Sequence, residues 1–133
     1  MNISNINHCI SQIATDDKAG VKLAQLTGDE KMSVFAIELA AGQSIPAHYH
    51  NKDIETYFIL EGQGIVRTGT LRNEMVVWNT EAEVHAGDCF TIYPGEVHEF
   101  KNNSETTLRI LGTAPLSHTT HDRYFIETKE PQL

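Results

Sequence analysis

The sequence predicts an all-β domain, a sandwich or closed barrel with minor helix. Short apolar runs recur about every ten residues, and Gly, Asn, Asp or Pro breaks each run from the next. Amphipathic helical periodicity is scarce along the chain.

Taken in order, the expected strands are VKLAQL (21–26), MSVFAIEL (32–39), ETYFILE (55–61), GIVRTG (64–69), MVVWN (75–79), EVHA (83–86), CFTIY (89–93), VHEFKN (97–102) and TLRILGT (107–113). TGDEK joins the first two, EGQG forms a tight hairpin around Gly62 and Gly64, and NNSET closes another. The stretch ISQIATDDKAG (10–20) holds at most a turn of helix and reads equally well as irregular. Beyond Pro115 the tail is polar until RYFI (123–126), an apolar patch expected to pack back on the body.

A chain of 133 residues is expected to form a single domain that buries one core without disulfides. With 40% hydrophobic and 21% charged residues, the composition is that of an ordinary globular protein. The net charge is −8 and no Lys or Arg run stands out, which argues against nucleic acid and anionic membrane surfaces as partners. Cys9 and Cys89 lack CxxC spacing, so a reduced, cytoplasmic protein is expected. The N-terminal MNISNINHCISQIATDDKAG reads as no signal peptide, and no apolar run approaches the length of a spanning helix.

Chemistry concentrates in AHYHNKDIETYF (47–58). Residues two apart on a strand share a face, so His48 and His50 project together while Tyr49 points away. Glu55, Tyr57 and Ile59 likewise share a face of the next strand. If NKDI reverses the chain, Glu55 stands beside the histidine pair. Imidazoles with a carboxylate suit a first-row divalent ion. YPGEVHEF offers a fourth ligand in His98, whose next same-face neighbour is Phe100. Four such groups on inward faces make a costly cluster without a cation.

The spacing Gly42, five residues, His48, one residue, His50, four residues, Glu55, six residues, Gly62 matches the first motif of the cupin superfamily. Gly87, DCFTIYPGEV, His98, three residues and Asn102 match the second, except that Tyr93 stands at the usual proline position and Pro94 follows it. The chain thus resembles a small single-domain cupin over residues 42 to 102. That resemblance implies a double-stranded jelly-roll β-barrel, with its core at about 30–114 and an N-terminal arm (1–20) and C-terminal tail (115–133) packed on it. It also implies one divalent transition metal ion (Mn, Fe, Zn or Ni) on His48, His50, Glu55 and His98, with positions left for water or substrate. A homodimer is a further implication.

Other residues stay open at this stage. Tyr57 offers a phenol to a bound substrate or simply packs in the core, and Glu55 is a candidate base. Phe100 and Ile59 are expected to wall an apolar pocket. Arg67 and Arg109 either point inward to bind an acid or form outward salt bridges. DRYF (122–125) lies over the barrel mouth or packs between subunits. His8, His85, His118 and His121 read as surface histidines despite the HTTH spacing.

Fold alone does not set function. The expected activity is a metal-dependent enzyme using the ion as Lewis acid on a small-molecule substrate, a sugar or a hydroxy or keto acid, in an isomerase- or lyase-type reaction. An Fe-, Mn- or Ni-dependent dioxygenase and a non-catalytic metal or small-ligand binding module are the alternatives.

Overall fold

The computed structural model describes residues 1–126. Its elements are α1 (Ile6–Gln12), β1 (Lys22–Gly28), β2 (Ser33–Leu39), β3 (Ser44–Tyr49), β4 (Glu55–Glu61), β5 (Gln63–Arg72), β6 (Met75–His85), β7 (Cys89–Ile92), β8 (Val97–Lys101), β9 (Leu108–Ala114), α2 (Ser117–Thr120) and β10 (Tyr124–Phe125). Two five-stranded antiparallel sheets result, ordered β1-β2-β9-β4-β7 and β10-β3-β8-β5-β6. The pairs β5·β6, β4·β7, β3·β8 and β2·β9 nest inside one another and alternate between sheets. Such nesting makes the jelly roll: the chain folds as one long hairpin and then rolls up. The hairpin tip falls at Asn73 and Glu74, whose φ of 50° and 65° fit the two-residue turn that matches strand twist.

Between the sheets lies one apolar core built on Phe35, Leu39, Ile59, Phe100, Leu108 and Ile110. Each comes from the alternate, inward positions of its strand. The site described below sits beside this core, where β3, β4 and β8 run past one another.

Three elements depart from the sequence expectation. The N-terminal helix begins earlier, at Ile6, where the Asn5 side chain accepts from His8 N–H at 3.1 Å. Its apolar positions Ile6, Cys9, Ile10 and Ile13 pack on Ala24, Leu26 and Ala36 of β1 and β2. MVVWN and EVHA are one strand, β6, not two. Thr80, Glu81 and Ala82 between them lie on an exposed edge strand, where apolar alternation is not required. β3 is absent from the strands expected above, and it carries Pro46, a residue that weighs against pairing.

Pro46 proves instructive. Ile45 pairs with Phe100, but His48 pairs with His98, so β3 carries one extra residue between them. The bulge switches the strand's alternation. Ile45 faces the main core, Ala47 faces a second apolar cluster with Val76 and Val97 on the outside of the sheet, and His48 faces inward again.

Both cysteines are free thiols. No helix among the described residues is long and apolar enough to cross a membrane.

Candidate metal centre

His48 is the penultimate residue of β3, His50 follows directly after that strand, Glu55 opens β4 and His98 lies on β8. All four are buried, none more than 5% exposed. The loop between His50 and Glu55 turns the chain back, and Gly95, at φ 79°, donates its N–H to the His50 carbonyl at 2.7 Å. That bond ties the turn before His98 to the histidine pair, and glycine suits the left-handed backbone there.

Each barrel histidine is oriented the same way. Nδ1 of His48 faces the Pro46 carbonyl at 2.9 Å, Nδ1 of His98 the Glu96 carbonyl at 3.1 Å, and Nδ1 of His50 the Asp122 carbonyl. A carbonyl only accepts, so Nδ1 carries the proton and Nε2 keeps its lone pair. The Nε2 atoms of His50 and His98 turn toward Glu55. His50 Nε2 lies 3.3 Å from Oε2, and His98 Nε2 lies 3.6 Å from Oε1.

These groups fit a metal. His50 Nε2, His98 Nε2 and Glu55 Oε1 are buried without a hydrogen-bond partner, and unmet buried polar atoms are costly. Ligand atoms of His48, His50 and His98 lie within 4.8 Å of one another. Two donors on one first-row ion, each ~2 Å from it, stand roughly 3–4 Å apart, as His50 Nε2 and His98 Nε2 do from the Glu55 oxygens, at 3.3 and 3.6 Å.

Electrostatics agree with metal-ready imidazoles. Burial holds the His48 pKa well below the ordinary histidine value, aided by the charges of His98 and His50. Burial also lowers His50 to about 4, against the pull of Glu55. Burial pushes the Glu55 carboxyl up, but the hydrogen bond from His118 and the neighbouring imidazoles of His98 and His50 outweigh it and hold the group well below its ordinary range.

His118 is the correction the structure makes. Rather than lying at the surface, it is 1% exposed and stacks on His50 with ring centroids 4.3 Å apart. Its Nδ1 meets Glu55 Oε2 at 3.0 Å and its Nε2 donates to the Lys52 carbonyl. With both nitrogens engaged, His118 positions Glu55 and is not the natural ligand. Burial alone lowers its pKa, but the Glu55 and Lys52 bonds prevail and raise it. Asp122 completes the arrangement: its carboxylate accepts from Asn51 and Lys52 N–H at 2.9 and 3.0 Å. HTTH was the one sequence signal for His118, and its loose spacing gave no reason to prefer one histidine. His8, His85 and His121 are exposed.

The DRYF stretch lies over the site. β10 pairs with β3, setting Phe125 opposite His48 and Tyr124 opposite Tyr49. Of the tail (115–133), residues 127–133 lie outside the described residues. Tyr57 lines the small cavity beside His48, His50 and Glu55, whereas Ile59 and Phe100 are fully buried deeper in the core. Neither Arg67 nor Arg109 lines that cavity. Val66 takes the inward position, so Arg67 turns to the outer face, bonds Glu99 through Nε and Nη2 at 2.9 and 2.6 Å, and covers the Trp78 ring. Arg109, between the core residues Leu108 and Ile110, likewise turns outward, to Glu38 at 3.0 Å and to Glu61 at 3.3 Å. Strand alternation leaves either arginine no inward route.

Comparison with known proteins agrees with this geometry. The family model described as a cupin domain matches residues 35–113, a span that includes His48, His50, Glu55 and His98. The chain belongs to the cupin family. Its relatives include an oxalate-binding protein from Thermotoga maritima, 32% identical over 100 residues, spanning 71% of this cupin and 74% of the relative. A solved structure from the same organism, described as a predicted oxalate decarboxylase, is 28% identical with a TM-score of 0.61, covering 72% of this cupin and 80% of that chain. A Klebsiella pneumoniae protein with a double-stranded β-helix domain superposes with a TM-score of 0.71 over 96% of this cupin and 99% of that chain. At 18% identity it shows the shared fold alone.

Proposed function

We propose that this cupin holds one divalent transition metal ion on His48, His50, Glu55 and His98 and uses the site on a small oxygenated molecule. The class is a hydroxy or keto acid or a sugar, and the reaction is of isomerase or lyase type. One observation carries the reading: the buried Nε2 atoms of His50 and His98 converge on Glu55, whose Oε1 is also without a hydrogen-bond partner. The oxalate-binding relative supports a small acid as the ligand. Manganese, iron, zinc and nickel all accept such a donor set.

The bound ion supplies Lewis acidity toward a ligand oxygen. This chain's residues do the rest. The carbonyls of Pro46, Asp122 and Glu96 keep the three imidazoles in the tautomer that presents Nε2. His118 donates to Glu55 and fixes the carboxylate's angle. Ile37 and Ile45 form a dry wall on the cavity, and Tyr57 stands at its edge. In the proposed reaction Tyr57 donates a hydrogen bond to a ligand oxygen, and Glu55 accepts a proton.

Metal analysis of protein purified without chelator tests the centre. The expected result is about one ion per chain, falling to near zero in His50→Ala, because losing one of four donors removes most of the affinity. Unchanged metal content in that variant overturns the ligand assignment. Exchange of substrate protons in deuterated water, followed by NMR over keto acids and keto sugars, then tests the reaction class. The homodimer belongs to the proposal too, and light scattering that returns the mass of a single chain removes it.

A further inference from the structure

The cavity beside the ligand set has two unlike walls. Val21, Ile37 and Ile45 make one side apolar, while the C-terminal segment places Arg123 on the other. The Arg123 side chain is only 8% exposed. Its Nη2 reaches Asp16 Oδ2 at 3.3 Å, and its Nε is buried with no hydrogen-bond partner. The guanidinium carbon lies 5.3 Å from the centre of the Phe125 ring.

Arg123 is therefore a buried cation with incomplete satisfaction. A good guanidinium–carboxylate bond measures about 2.7–2.9 Å and is often a two-pronged fork, so the contact with Asp16 is long and single. Asp16 has other duties, because its Oδ1 accepts the N–H groups of Lys18 and Ala19 at 2.9 and 2.8 Å. A buried donor left unmet is costly, the more so when it is charged. Arginine's planar fork matches a carboxylate, and this fork lines the same cavity as His48, His50 and Glu55.

We propose that Arg123 binds the carboxylate of the ligand held at the metal centre, which makes that ligand a two- or three-carbon acid, while Asp16 competes with the ligand for the guanidinium. The inference rests on the metal-centre reading above and deepens it. Size argues for a small ligand: the cavity measures about 20 Å³, room for little more than one water-sized group. In this proposal the further room that an acid needs is made at the C-terminal wall, where β10 is only two residues long, whereas Ile37, Ile45 and Tyr57 sit in longer ladders.

Calorimetric titration of the metal-loaded full chain with oxalate, oxamide and inorganic phosphate tests the inference, with metal content measured on every sample. Oxalate is expected to bind, and its neutral analogue oxamide at least ~10-fold more weakly because it forms no charged pair with the guanidinium. Phosphate is expected to bind more weakly because it has a single anionic centre, where oxalate offers one carboxylate to the ion and one to Arg123. Arg123→Gln is expected to weaken oxalate ~10-fold or more with metal content unchanged, and Arg123→Lys to recover part of the loss by keeping the charge without the fork. Asp16→Asn is expected to strengthen oxalate binding by roughly two- to fivefold, since a rim competitor for the guanidinium is weakened. A merely structural Asp16–Arg123 bridge predicts the reverse sign. Oxalate affinity equal in wild type and Arg123→Gln overturns the inference, as does equal binding of oxamide or phosphate, or no oxalate binding by the loaded wild type. If the wild type holds no metal, the centre reading fails instead, and the oxalate affinity ratio between wild type and Arg123→Gln still decides for or against Arg123.

Discussion

Two sets of histidines meet around Glu55, and their surroundings drive them in opposite directions. His48 and His50, delivered by β3, are pushed down the pH scale chiefly by burial and stay neutral. His118, delivered by the C-terminal segment, is buried too, yet the bonds to Glu55 and to the Lys52 carbonyl raise it. The difference lies in what each second nitrogen meets. Barrel imidazoles place one nitrogen on a carbonyl and leave the other free for a metal, whereas His118 has an acceptor on both sides. The barrel thus supplies neutral donors, and the tail supplies the group that fixes the carboxylate among them.

Acid exposes this contrast most strongly in the metal-free protein. As pH falls through 6.5, unfolded chains take up protons at His48 and His50, while native His50 resists until about 4. Their contribution to stability is therefore present above pH 6.5 and lost as pH falls below it, for His50 between there and about 4. For His50 alone the shift corresponds to roughly 3 kcal/mol. Glu55, held below its ordinary range, adds loss of the same sign at the acid end. His118 works oppositely: its contribution is complete below pH 6.5 and fades as pH rises through its elevated native value. Urea midpoints across this range should fall toward acid, and a flat profile there would mean that the β3 histidines are not held neutral.

Removing His118 tests the tail's share directly. His118→Ala should weaken metal binding by about 10–100-fold, the usual cost of losing a partner that orients a ligand, as read by competition with a chromophoric chelator. Unchanged affinity would show that β4 positions Glu55 unaided. Asp122→Asn should have the smallest effect, a loss of ~2–5-fold in the same assay, because one charged hydrogen-bond acceptor is weakened while the Asp122 carbonyl that orients His50 remains. A loss as large as that of His118→Ala would place the carboxylate, and not the imidazole, at the centre of the tail's role.

Much of this was legible in the sequence because it is local. A period of two residues put His48 with His50 and Glu55 with Tyr57, and the glycines of the two motifs marked the turns that bring His98 alongside. His118 was not legible, since HTTH looks the same whether its first histidine faces water or a carboxylate 63 residues away in sequence. The directions of Arg67 and Arg109 were open for a related reason: alternation pairs them with their neighbours but does not say which face is the inside.

What the sequence by itself determined is the all-β plan and the strand-borne donor set, because spacing along an extended chain sets which side chains travel together. Tertiary structure alone decided which way that set points and what holds it. The bulge at Pro46 turns His48 inward only because β3 pairs out of step with β8, and His118, Asp122 and Arg123 join the site only because β10 docks on β3. Both are long-range pairings, whose energies depend on partners that no local window contains.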